Sequence, residues 1–165
     1  FLGGNIGNFN LKAAENFLKQ IQSNLSQGDQ LLLGIDLKKH PKIILNAYND
    51  AQGVTKEFNL NLLRRINREF DGNFELSDFD HYPTYDPISG ETRSFLISLK
   101  QQSVELKSLK KTFHFRYAEP IFMEISKKYE LQELEKMADD CGFTVKNHFF
   151  DCKKYFVNTL WEVSP

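Results

Sequence analysis

Apolar residues recur at helical spacing in the first part of the chain. In LKAAENFLKQIQSNL they lie three and four residues apart, which places them on one face of a helix. Asn10 precedes this segment as a capping residue, and Gly28 follows it as a helix stop. The continuous apolar run Gln30–Leu37 has the length of a strand buried on both faces. Because Phe1 and Leu2 have the character of a strand end, the pattern predicts a parallel strand–helix–strand unit.

From Lys38 onward the pattern predicts a mixture of helices and strands. Two helices, the first begun by Pro41, are followed by strands around proline-containing loops in 79–106. Helical spacing returns in ELQELEKMADDCGF, and two strands joined by DCKK predict a C-terminal hairpin. The fold class is therefore α/β, with sheet segments 1–37 and 127–165 interrupted by an inserted α+β lobe, 38–126.

The composition indicates a packed domain and excludes several kinds of partner. The 165 residues are 41% hydrophobic and 26% charged, which is enough for a core of moderate size. A net charge of −1 provides no field that attracts nucleic acid or an anionic membrane. The Lys-rich segment Leu106–Phe113 is interpreted as a solvated surface. No apolar run reaches the roughly 18 residues that span a bilayer.

The cysteines and histidines do not predict a metal site. Cys141 and Cys152 lack metal-ligand or redox spacing, so reduced thiols in a cytoplasmic protein are the simplest interpretation. The histidines occur singly, without a cluster such as H-E-x-x-H. We therefore expect no metal in this chain.

Four segments resemble one known family in the same order along the chain. They are FLGGNIGNF, GDQLLLGIDL, LNAYNDAQGVTKEFNLNLLRRINREF and EPIFMEISKKY. They resemble the histidine-specific methyltransferases that use S-adenosylmethionine, which include the L-histidine Nα-methyltransferase that makes hercynine in ergothioneine biosynthesis. The resemblance implies part of a class I (Rossmann-like) methyltransferase sheet with an inserted α+β substrate-binding lobe.

By this resemblance the chain corresponds to the second half of such an enzyme. The glycine-rich cofactor loop of the family would lie upstream of Phe1, and no G-x-G-x-x-G occurs here. We therefore expect S-adenosyl-L-methionine to be bound mainly by upstream residues, with no cofactor-binding residue in this chain. The expected partners are histidine and the missing N-terminal half. Without that half, the exposed sheet predicts self-association and an inactive chain.

The loop at the start of the chain and a tyrosine farther on are candidate substrate contacts. From sequence alone, Asn8 is more simply a loop residue that bonds its own backbone or shares the cap with Asn10. The resemblance instead implies that Asn8 binds the substrate, with Gly3 allowing close backbone approach. Tyr48 matches a family tyrosine at the backbone end of the substrate, although an aromatic residue on a helix is more often part of the core.

The segment FMEISKKY contains the candidate side-chain recognition residues. Glu124 and Ser126 point to the same side only if the segment is extended. The resemblance then implies that Glu124, Ile125 and Ser126 contact the substrate, the carboxylate and the hydroxyl binding the two imidazole nitrogens. The alternative from sequence alone is a surface Glu124 paired with Lys127 or Lys128. No catalytic side chain is expected, because methyl transfer from a sulfonium depends on positioning and desolvation.

One departure from the family pattern leaves the substrate open. Ser94 falls where relatives carry a larger apolar residue near the imidazole, so the side-chain pocket is predicted to differ. Two other functions therefore stay open: a methyltransferase for another amino acid or amine, and a non-catalytic amino-acid-binding module.

Overall fold

The computed structural model describes Phe1 and residues 3–164. Three short 3-10 turns occur, at Asn5–Asn8, Leu76–Asp78 and Lys107–Leu109. The helices and strands are, in chain order, α1 (Leu11–Gln22), β1 (Gln30–Asp36), α2 (Pro41–Tyr48), α3 (Val54–Phe70), β2 (Phe79–Tyr85), β3 (Glu91–Ser98), β4 (Gln102–Leu106), β5 (Lys111–Phe115), β6 (Pro120–Lys127), α4 (Leu131–Asp140), β7 (Phe143–Phe150) and β8 (Phe156–Val163). The helices and the C-terminal hairpin lie where the apolar pattern predicted them.

The chain forms two compact units. Unit 1 comprises Phe1–Pro41, Asp86–Thr92 and Ile125–Pro165, and unit 2 comprises Lys42–Tyr85 and Arg93–Glu124. The turn 86–92 thus belongs to unit 1, whereas the sequence interpretation included it in the lobe 38–126. Its hydrogen bonds explain the difference, because the Lys127 Nζ donates to the Ser89 carbonyl at 2.7 Å and the Lys128 N–H to the Gly90 carbonyl at 2.8 Å.

Unit 1 contains a three-stranded sheet in the order β1-β8-β7. Both pairings are antiparallel, with Leu33 opposite Thr159 and Val145 opposite Trp161. Helices α1 and α4 contribute Leu18 and Leu134 to the same core, in which Trp161 is completely buried. Burial of this apolar surface stabilises the unit, since each fully buried large side chain contributes about 1.5–3 kcal/mol.

Of the first strand in the predicted parallel strand–helix–strand unit, the structure describes only Phe1, because Leu2 lies outside the described residues. The amino group of Phe1 donates to the Leu32 carbonyl at 2.8 Å, and the Gly34 N–H donates to the Phe1 carbonyl at 3.0 Å. These bonds have the offset of a parallel pairing. The named strands of the unit 1 sheet are nevertheless antiparallel to their neighbours.

Local capping explains where two of the helices begin. The Asn10 side chain accepts the Ala13 N–H at 2.9 Å, as predicted for the start of α1. At α4, Glu130 and Glu133 form a reciprocal capping box with the backbone. Gly142 follows α4 with a φ of 81°, a left-handed conformation that ends the helix.

Unit 2 has its own core beneath α3. Leu60 and Leu63 of α3 pack with Phe79 of β2 and Leu96 of β3. The strand order of the larger sheet is β2-β3-β6, and β4 and β5 form a separate antiparallel hairpin. The chain passes from one unit to the other within β3 and β6.

The combination of helices with a mixed set of strands confirms the predicted α/β class. In the part of the chain that the structure describes, every helix lacks the length and hydropathy of a membrane span.

Candidate functional site

The turn at the start of unit 1 positions Asn8. Gly7 is buried, and a Cβ added to it would lie 2.7 Å from the Lys127 carbonyl oxygen, closer than any side chain allows. Glycine therefore lets the turn lie directly on the end of β6. The next residue, Asn8, is exposed, and the cap of α1 is supplied by Asn10. The Asn8 side chain is therefore not used to begin α1, and a substrate-binding role for Asn8 stays a prediction.

Gly3 lies on the other side of the same turn. Its φ of 84° is left-handed, and its backbone is so near Gly34 of β1 that a Cβ on Gly34 would lie 3.1 Å from the Gly3 nitrogen. Gly3 itself is exposed. The turn is thus packed against β1 and β6, and its exposed side presents backbone groups and the Asn8 amide.

The segment that carries Glu124, Ile125 and Ser126 is extended. All three lie within the strand β6 and are half-buried. This confirms the condition under which Glu124 and Ser126 point to the same side of the chain. The extended segment ends at Lys127, the residue that contacts Gly7. Within unit 1, Ser126 and Asn8 therefore belong to neighbouring segments.

Two buried lysines follow Ser126 and have different partners. The Lys128 Nζ donates to the Ser126 Oγ at 2.8 Å and lies 3.0 Å from the Asp36 Oδ2 at the end of β1. The Lys127 Nζ lies 2.9 Å from the Glu133 Oε1 of α4. The lysine side chains are 4% and 9% exposed, so both charges depend on these partners.

In unit 2 the partner of Glu124 is Ser94. The Ser94 Oγ donates to the Glu124 Oε1 at 3.4 Å, and Ser94 is completely buried. The residue predicted to alter the side-chain pocket therefore touches the carboxylate predicted to recognise the side chain. Glu124 also lines a cavity of about 290 Å³ in unit 2; the other lining residues are Phe58, Asn59, Asn61, Leu62, Arg65 and Met123.

A buried histidine adjoins this part of unit 2 and was not singled out from the sequence. The Asn59 Nδ2 donates to the Thr55 carbonyl at 3.0 Å and lies 3.4 Å from the His81 Nε2. Burial lowers the pKa of His81, against the raising effect of the Asp80 and Glu124 carboxylates. The ring is therefore neutral near pH 7, with Nε2 as acceptor. The alternation of β2, in which Phe79 and His81 both face inward, was the available signal.

Tyr48 is the last residue of α2 and is half-buried. The nearby Asp50 organises the start of α3, because its carboxylate accepts the Val54 and Thr55 N–H groups at 2.8 Å each. The hydrogen bonds from Thr55 and Val54 lower the pKa of Asp50 to about 2. Asp50 thus supplies side-chain hydrogen bonds to the first turn of α3.

Solved structures with a similar chain path define the class of fold. An S-adenosylmethionine-dependent methyltransferase from Clostridium acetobutylicum has a TM-score of 0.50 at 7% identity, covering 99% of this chain and 56% of that one. The CcbJ methyltransferase from Streptomyces caelestis has a TM-score of 0.50 at 10% identity, covering 99% and 55%. The fold is that of S-adenosylmethionine-dependent methyltransferases, as predicted.

The family is defined by sequence. The family described as "Histidine-specific methyltransferase, SAM-dependent" matches residues 1–163. The chain therefore belongs to the histidine-specific, S-adenosylmethionine-dependent methyltransferases.

Three individual relatives show how much of the chain is similar to single proteins. The histidine N-alpha-methyltransferase of Mycolicibacterium smegmatis is 35% identical over 86% of this chain and 44% of its own length. Ergothioneine biosynthesis protein 1 of Schizosaccharomyces pombe is 29% identical over 90% of this chain and 19% of its own length. The L-tryptophan methyltransferase of Psilocybe serbica is 28% identical over 94% and 44%. The chain thus spans less than half the length of these relatives.

Proposed function

We propose that this chain is the substrate-binding part of an N-methyltransferase that transfers methyl groups from S-adenosyl-L-methionine to the α-amino nitrogen of L-histidine. The observation that carries the proposal is the extended strand β6, which presents Glu124 and Ser126 two residues apart in a chain of this family. A carboxylate and a hydroxyl at this spacing can hydrogen-bond both nitrogens of an imidazole.

The proposed roles follow from the chemistry of the reaction. The amine lone pair attacks the methyl carbon, the sulfonium sulfur leaves with the bonding pair, and the amine loses a proton. Asn8 and Tyr48 are proposed to hold the amine and carboxylate, with Gly3 and Ile125 as backbone and apolar contacts. Since the amine must be aligned behind the methyl group, positioning supplies the rate enhancement and no side chain is assigned as catalytic.

We further propose that the cofactor is held mainly by parts of the full-length enzyme outside this chain. The described turn with most glycines, Gly3 to Gly7, is packed against the backbone of β1 and β6. This packing suits a substrate loop better than a cofactor cradle. A cytoplasmic location stays part of the proposal and is favoured by two free thiols, Cys141 and Cys152.

The proposal is tested with the full-length enzyme, L-histidine and S-adenosylmethionine. Mass spectrometry should detect histidine that has gained methyl groups, and no gain would contradict the assignment. Glu124→Ala should weaken histidine binding by about 1.5–3 kcal/mol, because a hydrogen bond to a charged group is lost. Binding of an amino acid with an apolar side chain should change little. Isothermal titration calorimetry measures both, and equal effects on both ligands would argue against imidazole recognition by Glu124.

A second candidate, methylation of a larger aromatic amino acid, is favoured by Ser94. Ser94 is smaller than the apolar residue that the family pattern has near the imidazole, and its hydroxyl bonds the Glu124 carboxylate. Competition between histidine and tryptophan in the same assay decides between the two. Binding of either amino acid without methyl transfer would instead favour the non-catalytic binding module.

A further inference from the structure

We propose that Asn59 is a specificity-determining residue that makes the site select amino acids whose aromatic ring carries an N–H. This inference rests on the proposed function, in which the side chain of the substrate lies against Glu124. Its basis is an amide oxygen that has no partner and faces the cavity beside that carboxylate. Asn59 lies outside the substrate contacts predicted from the sequence.

The first step is the orientation of the Asn59 amide. The Thr55 carbonyl oxygen, 3.0 Å away, can only accept, so the atom of Asn59 that faces it must be the nitrogen. The His81 Nε2 lies 3.4 Å from the same nitrogen, whose second proton is available to it. Turning the amide over would place two carbonyl oxygens against each other. The nitrogen therefore stays on this side, and Oδ1 points away from Thr55.

The second step is what Oδ1 meets. Among the described residues, no group donates a hydrogen bond to it, although Asn59 is only 2% exposed. Oδ1 is still reachable from solvent, unlike the unbonded hydroxyl oxygens of Thr92 and Tyr129, which are fully buried. Because Asn59 lines the cavity of about 290 Å³ in unit 2, this reachable oxygen faces that cavity.

The third step is the chemistry of the cavity. Glu124 lines it as well, so the carboxylate and the Asn59 oxygen present two acceptors to one ligand. Phe58, Leu62 and Met123 supply apolar surface to the same cavity. Apolar walls with a few polar groups are typical of sites that bind small molecules. This combination suits a flat ring with a hydrogen-bond donor at its edge.

The consequence is a penalty for rings that lack a donor. An N–H that lies between the two oxygens can bond both in a three-centre arrangement. A ring with only C–H groups excludes water from Oδ1 and leaves this acceptor unpaired, which costs more free energy than one hydrogen bond contributes. Histidine and tryptophan both carry a ring N–H, whereas phenylalanine does not. Asn59 should thus favour either candidate substrate over aromatic amino acids without the donor.

The test compares two ligands by calorimetry, with the full-length enzyme saturated with S-adenosylhomocysteine at about pH 7.5, where imidazole is mainly neutral. The ligands are L-histidine and L-thienylalanine, whose aromatic ring has no N–H. In Asn59→Leu, an apolar group of similar size replaces the amide. Histidine affinity should fall about three- to tenfold and thienylalanine affinity should rise. A loss of stability would instead weaken both ligands.

Asn61→Leu is the matched control. Asn61 has the same side chain and lines the same cavity, but it is exposed, so its amide keeps its contact with water when a ligand binds. This substitution should change the preference for histidine over thienylalanine by less than about twofold, as is usual for an exposed position.

The outcomes separate this inference from the proposed function. A wild type that does not bind histidine contradicts the proposed function, and the inference fails with it. If histidine binds and Glu124→Ala weakens its binding, the role of Asn59 is overturned by any of three results. These are a wild type without preference for histidine over thienylalanine, an unchanged preference in Asn59→Leu, and an equal change in Asn61→Leu. If circular dichroism shows that Asn59→Leu does not fold, Asn59→Ala, which adds no bulk, decides by the same loss of preference.

Discussion

Two glycines enclose the backbone of Lys127 and Lys128. A Cβ on Gly7 would lie 2.7 Å from the Lys127 carbonyl oxygen, and one on Gly90 would lie 2.3 Å from the Lys128 carbonyl oxygen. Gly90 also has a φ of 76°, which side chains rarely adopt. The position of Ser126, the residue before them, thus depends on glycines that are distant in sequence.

At the residue scale, Gly7→Ala should destabilise the protein by about 1–3 kcal/mol, because the added methyl overlaps backbone that cannot rotate away. Asn8→Ala is the control on the same turn. Asn8 is exposed, so its substitution should change stability by no more than about 0.5 kcal/mol. Urea unfolding followed by circular dichroism measures both changes, and an unaltered midpoint in Gly7→Ala would show that the turn does not pack on β6.

Asn8→Ala should nevertheless weaken histidine binding. The amide is proposed to bond a charged group of the substrate, for which about 1.5–3 kcal/mol is typical. Calorimetric titration measures the change. An affinity equal to that of the wild type would restrict Asn8 to a loop role.

Residues recognised through local pattern were predicted, and residues defined by distant partners were not. Asn10 was predicted as a cap because its partner is three residues away. His81 was not selected, because its environment depends on Asn59 of α3. The Ser126–Lys128–Asp36 contacts likewise join two strands, and sequence spacing alone does not indicate which lysine donates to the serine.

At the element scale, the start of α3 depends on one carboxylate. Asp50 accepts two backbone N–H groups, and its pKa falls to about 2, whereas an unfolded aspartate titrates near 3.9. A lowered folded pKa stabilises the native state above the unfolded value, and this contribution is lost as the pH falls through the folded value. The helix N-terminus adds to the preference for negative charge.

Asp50→Asn should therefore lower the melting temperature near pH 7. The difference from the wild type should be constant down to about pH 4 and should shrink between about pH 4 and pH 2. Asp139→Asn, an exposed acid near the end of α4, is the control and should not lower stability. If Asp50→Asn lowers the melting temperature by the same amount at every pH in this range, the negative charge of Asp50 does not stabilise the start of α3.

The elements themselves were predictable to different degrees. Helices α1, α3 and α4 combine apolar periodicity with nearby side chains that bond their first turns, both of which are local in sequence. The assignment of the turn 86–92 was not local, because it depends on hydrogen bonds from Lys127 and Lys128. Long-range contacts of this kind leave no periodic signal.

At the scale of the whole molecule, each unit has a hydrophobic core of its own. Trp161 and Leu18 are completely buried in unit 1, and Leu96 is completely buried in unit 2.

The two free cysteines both belong to unit 1 and differ in solvent exposure. Cys141 is 3% exposed, and burial raises the pKa of its thiol, whereas Cys152 is exposed.

A thiol reagent should therefore modify one cysteine of the folded chain quickly. Cys152 should react at the rate of an exposed thiol, and Cys141 only when unit 1 opens, since the reactive thiolate is both shielded and disfavoured. Mass spectrometry of peptides after timed labelling distinguishes the two sites. Cys152→Ser should leave only the slow reaction, and fast labelling of Cys141 without denaturant would contradict its burial.

The glycines around Lys127 and Lys128 also bear on how the proposed substrate site could be altered. The backbone of Lys127 and Lys128 packs closely against Gly7 and Gly90. Side chains on β6 can therefore be replaced while the end of the strand keeps its position. With Glu124 and Ser126 as the proposed substrate contacts, laboratory evolution toward a new amino acid should accumulate replacements at Ser94, Glu124 and Ser126, while Gly7 and Gly90 are retained.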